Sequence, residues 1–72
     1  MRYFKYFFSN RFRCPVCGKH WFSEAGAYEI CPVCGWEDDP VQRREPDLSG
    51  GANSMTLNEA RAAFMERMRE DE

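Results

Sequence analysis

Four cysteines, Cys14, Cys17, Cys31 and Cys34, fall in two copies of one pentapeptide, CPVCG at 14–18 and again at 31–35. Two residues between cysteines let a single tight turn aim both sulfurs at one ion, and two such turns complete a tetrahedron of thiolates. Gly18 and Gly35 follow the second cysteine of each pair, where a positive φ brings backbone N–H groups toward sulfur. Pro15 and Pro32 pre-set φ on the way in. The pattern therefore predicts four-thiolate metal ligation, with a dithiol redox pair as the alternative. Four protein ligands close the shell, and a closed shell folds a chain without catalysing anything, since catalysis needs a position left for water or substrate. The chain is accordingly expected not to be an enzyme.

Thiolate shells suit zinc and also a single iron. Only 13 residues separate Cys17 from Cys31, room for one short hairpin as in zinc ribbons and less than the span between rubredoxin knuckles. The expected cofactor is one zinc per chain, with iron as the alternative. His20 is the sole histidine; beside four well-spaced cysteines it is read as a strand or surface residue.

The elements that must hold this site follow from the flanking residues. KHWFS at 19–23 and AYEI at 27–30 are aromatic and β-favouring, and Gly26 between them suits a turn, so a hairpin is predicted to leave one knuckle and enter the other. Ahead of it, YFKYFF at 3–8 predicts a strand packed on that hairpin, or else a surface for stacking or membrane contact. Thr56 and Glu59 form a capping box that opens a helix over 57–69. Leu57, Ala60, Phe64 and Met68 make one apolar stripe on that helix, with Met65 at its edge. The stripe is read as core, with partner-helix binding as the alternative. Residues 36–55, rich in Pro and Gly, show neither helical nor strand period and read as a loop. The expected architecture is α+β: a single domain over 1–72, a small zinc-ribbon or rubredoxin-like β-hairpin around the metal, knuckles and hairpin spanning 14–35, and one C-terminal helix.

Length explains why a metal is needed. A chain of 72 residues buries too small a core to be secure without a disulfide, a metal or a partner. No stretch approaches membrane-spanning length. The opening apolar run is short, is broken by Lys5 and lacks a small-residue cleavage site, so no leader is expected and the cytoplasm is the expected compartment. In that reducing setting paired cysteines read as metal-binding.

After the second knuckle come Trp36, Glu37, Asp38 and Asp39. Trp36 is read as a core residue shielding the thiolates. The three acids are read as a surface for a basic protein partner, with capping of a turn, acceptors for Arg43 or Arg44, or simple solvation of the loop as the alternatives. Three adjacent carboxylates do not make a calcium loop. Residues 1–22 carry five Lys or Arg and no acid, while 23–72 carry five basic and twelve acidic residues, for a net charge of −2. That balance disfavours general nucleic-acid binding. It leaves Arg2, Lys5, Arg11 and Arg13, among aromatics, as a local nucleic-acid surface in an alternative reading.

In its ordered pieces, AYEI at 27–30, CPVCGWEDD at 31–39 and GGANSMTLNEAR at 50–61, the chain resembles the cysteine-rich CPCC proteins, which are small and mostly bacterial. The resemblance covers about residues 12–65, and it implies the fold more than the task. One departure stands out: Val16 occupies the place of the middle cysteine in that family's cysteine-proline-cysteine-cysteine knuckle, and four ligands remain. The reading reached is a non-catalytic zinc-binding interaction module, including a toxin-neutralising (immunity or inhibitor) protein for a basic partner as a concrete form. A nucleic-acid binder and a one-iron electron carrier are the alternatives.

Overall fold

The computed structural model describes residues 12–70. Two helices stand out among them, α1 (Pro40–Arg44) and α2 (Leu57–Glu70). No described helix is long and apolar enough to cross a membrane. The strand expected over 3–8 lies outside the described residues, as do Arg2, Lys5 and Arg11.

The expected hairpin between 19–23 and 27–30 is replaced by a different pairing. Each knuckle closes on itself: Arg13 bridges Trp21, and Ile30 bridges Glu37, both antiparallel and both isolated. Around the first, Phe22 N–H donates to the Phe12 carbonyl and Cys14 N–H to that of His20. Around the second, Asp38 N–H donates to the Glu29 carbonyl and Cys31 N–H to that of Trp36. Residues that would have formed the hairpin thus use their backbone groups across their own knuckle. The connecting turn is held instead by a side chain, for the Glu29 carboxylate accepts from Ser23 N–H, Ser23 Oγ and Glu24 N–H. Tyr28 takes φ +63°, a left-handed conformation that interrupts any strand through AYEI.

Within the loop read over residues 36–55 the chain forms a short helix, α1. Asp39 is an N-cap whose Oδ1 accepts from Val41 N–H at 2.8 Å and Gln42 N–H at 3.2 Å, and Pro40 stands at the first helical position. Both are favoured helix-start residues, yet five residues of helix are too short to show a period.

The capping box predicted for α2 is present in both directions: Glu59 N–H donates to Thr56 Oγ1 and Thr56 N–H to Glu59 Oε1, each at 2.9 Å. Leu57 and Phe64 are buried and Ala60 packs on the core, whereas Met68 and Met65 are exposed, so the stripe docks only along its first two turns. Arg61 Nε reaches the Pro15 carbonyl at 2.9 Å and ties α2 to the first knuckle. The buried apolar cluster consists of Cys14, Phe22, Cys31, Trp36 and Leu57. Two of these five are cysteines of the knuckles, so the core and the candidate metal site are one structure.

Candidate metal centre

The two knuckles face each other and bring Cys14, Cys17, Cys31 and Cys34 together, with all four Sγ atoms within 4.8 Å of one another. Cys14 and Cys31 are buried, and Cys17 and Cys34 are half-buried. The closest pairs are Cys14–Cys34 at 3.5 Å and Cys17–Cys31 at 3.7 Å. Both exceed the bond length of a disulfide, about 2.05 Å. Both match the sulfur–sulfur edge of a tetrahedron with metal–sulfur bonds near 2.3 Å, about 3.8 Å. The four thiols are free, and they are arranged to hold one metal ion.

The local backbone is built for thiolates. Gly18 and Gly35 take φ +69° and +87°, as the knuckle reading requires. Backbone N–H groups of Lys19 and Val33 point at Cys17 Sγ and Cys31 Sγ, each at 3.4 Å. These donors only partly offset burial. Burial pushes the Cys14 and Cys34 thiols up, Cys34 very strongly. At Cys31 burial also opposes ionisation, but the N–H groups of Cys34 and Val33, together with neighbouring thiols, bring it below its ordinary value. Four thiolates this close repel one another, and a metal cation held among them would offset that repulsion.

His20 stands apart from the shell. Its ring packs edge-on to Phe22 at 5.2 Å, and its carbonyl serves the first knuckle.

Behind the second knuckle lies a buried polar network that includes two of the three acids expected at a partner surface. Asp38 is 0% exposed; its Oδ2 accepts from Gly26 N–H at 2.7 Å and its Oδ1 pairs with Arg43 Nη2 at 3.2 Å. Asp39 is 5% exposed; beyond capping α1, its Oδ2 accepts from Ala52 N–H at 2.9 Å. That bond, ahead of those to Gln42 and Val41, holds the carboxyl below its usual range. The expectation that Asp38 and Asp39 face a partner is therefore corrected: both are buried, and they accept from backbone N–H groups of Gly26, Val41, Gln42 and Ala52 from inside the fold. Glu37 is half-buried and contributes its backbone, donating N–H to Asn53 Oδ1 and accepting from Asn53 Nδ2. Trp36 is buried, as expected.

Two residues of this network were not singled out as site residues. Gln42, fully buried, donates Nε2 toward the carbonyls of Leu48, Asn53 and Met55, and accepts from Asn53 N–H and Nδ2. Asn53 links it back to Glu37. A Cβ on Gly51 would lie 2.6 Å from Asp39 Oδ2 and 2.9 Å from Gln42 Cδ, so glycine is needed there for space. The available signal was the GGAN run itself, a compact set of residues suited to close backbone approach.

Of the alternative nucleic-acid residues, Arg13 is described. It is exposed, stacks its guanidinium over Trp21 at 4.7 Å, and lends its carbonyl to Arg43 Nη2.

No curated protein matches the chain. The family profile described as Cysteine-rich CPCC matches residues 12–67, taking in both knuckles, the polar network behind the second and most of α2. By that match, which spans most of its length, the chain belongs to the cysteine-rich CPCC family.

Proposed function

We propose that this protein is a zinc-stapled, non-catalytic interaction module. The observation that carries the reading is the convergence of the Cys14, Cys17, Cys31 and Cys34 sulfurs to within 4.8 Å of one another. When bound, zinc would supply a fixed positive charge and four bonds that hold the knuckles together, and the four sulfurs leave it no open coordination position for chemistry. The chain's own residues then present a surface on a scaffold with little other core.

The acidic stretch lends less support to a basic partner than its letters suggest, because Asp38 and Asp39 are occupied inside the fold. A toxin-neutralising role of the immunity type keeps the overall acidic balance as its support. One-iron electron transfer is a second reading, favoured by the N–H groups aimed at Cys17 and Cys31 sulfur, since such donors tune iron–thiolate potentials.

Elemental analysis of protein purified from its native host, paired with affinity capture using the metal-loaded chain, tests the proposal. One zinc per chain and a stoichiometric protein partner are expected. A coloured protein holding one iron that cycles reversibly between two oxidation states would replace the module with an electron carrier.

A further inference from the structure

A groove of about 420 Å³ opens between the second knuckle and α2. Val16, Trp36, Met55, Ala63 and Phe64 give it mostly apolar walls, and Arg67 lines it as well. Two features are left over from the fold. The indole N–H of Trp36, a residue only 3% exposed, is buried without an acceptor among the described residues. Arg67 lies over the Phe64 ring at 5.5 Å and has no carboxylate partner among the described residues, while its neighbour Arg69 is paired with Glu66 at 2.8 Å.

A buried donor without an acceptor is costly, and native folds rarely keep one without a reason. An occupant that brings an acceptor removes the cost. Arg67 is the cationic side chain among the lining residues, so a negative charge on the occupant is directed to it. Neutral carbonyl oxygen suits the indole, and a carboxylate suits the guanidinium. The indole is shielded as it stands, so the acceptor arrives with a movement of the wall. Met55, half-exposed and unbranched, is the wall residue best able to give way.

We infer that this groove docks a short segment of a partner protein that carries apolar side chains beside a carboxylate, the main chain reaching Trp36 and the carboxylate pairing with Arg67. The inference rests on the interaction-module reading and names its binding face and the partner's chemistry. That face is acid-seeking, opposite in sign to the one the WEDD stretch suggested.

The test uses the full, metal-loaded chain and an acetylated, amidated pentapeptide with leucines flanking a central glutamate, with glutamine and lysine counterparts. Indole N–H resonances are followed by NMR and assigned with Trp21→Phe. The glutamate peptide is expected to move the Trp36 signal, leave that of Trp21 in place, and bind about five-fold tighter than the glutamine peptide, the scale of one partly exposed ion pair. Arg67→Gln should abolish that preference, and Arg67→Glu should transfer it to the lysine peptide. Equal binding of all three peptides overturns the inference, as does a self-dimer in sedimentation that Arg67→Glu dissociates. If neither peptide nor variant moves the Trp36 signal while the loaded chain still captures a native partner, the groove is wrong and the module reading stands. If capture fails as well, both fall.

Discussion

After Cys17 the chain runs outward through Lys19 and Trp21, the latter 50% exposed, whereas after Cys34 it turns inward through Trp36, Asp38 and Asp39. The two knuckles share five letters and the same left-handed glycine, but they close at different lengths. Cys14 N–H bonds six residues ahead, to His20, and Cys31 N–H five ahead, to Trp36. After the first knuckle Trp21 lies outside and Phe22 inside, and after the second Trp36, Asp38 and Asp39 all lie inside. Identical metal-binding turns are thus joined to different tasks: the first adds Phe22 to the core and leaves Trp21 on the surface, and the second adds a buried polar network.

The comparison breaks most easily at the second knuckle. Phe64→Ala removes the buried aromatic of α2 and is expected to cost about 3 kcal/mol, read as a lowered midpoint in denaturant unfolding of the metal-loaded protein. Asp39→Ala orphans the N–H groups of Val41, Gln42 and Ala52 and should cost a similar amount, about 2–3 kcal/mol. Gly51→Ala forces a methyl against Asp39 and Gln42 and should cost about 2 kcal/mol with zinc content unchanged.

Smaller effects sharpen the contrast. Thr56→Ala should cost about 1 kcal/mol through loss of half the capping box. Its thermal midpoint should fall while the knuckle resonances stay in place. Asp39 adds a pH signature. Its carboxyl is held below the ordinary value of 3.8, so the unfolded chain takes up its proton first and stability falls as pH falls. The advantage of the native protein over Asp39→Asn should be full above about pH 5 and shrink below that. A constant difference across that window would mean that Asp39 does not titrate as the structure implies. Trp21→Ala, in the first knuckle, should stay within about 0.5 kcal/mol. A loss as large as that of Asp39→Ala would erase the proposed division between the knuckles.

What could be read in the sequence was whatever is decided locally. Cysteine spacing, the glycines after each knuckle and the Thr56–Glu59 box are all settled by residues a few positions apart, and each is found as expected. The missing hairpin is a competition that pattern alone does not resolve: 19–23 and 27–30 have strand composition, but their backbone groups find partners sooner across the knuckles. WEDD misled for the opposite reason. A run of acids ordinarily marks a solvated face, and here its acceptors are used by N–H groups of Gly26 and Ala52, each more than ten residues away in sequence. α1 escaped because a helix of five residues shows no period, although the Asp39-Pro40 start was in view. Met68 fits the stripe by spacing, yet it is exposed because the surface α2 packs on ends near Phe64.

The account rests on one metal holding two knuckles together, so the most direct measurement is a zinc titration of the chelated, reduced protein followed by circular dichroism and NMR dispersion. The chelated chain is predicted to be unfolded, and native structure should appear in proportion to added zinc and saturate at one equivalent. Cys31→Ser should fail to recover the native spectrum at any zinc concentration, because the same side chain is ligand and core. A chelated chain with the same spectrum as the loaded one, or a Cys31→Ser variant that folds normally, would contradict the claim that the thiolate shell is the centre of this fold.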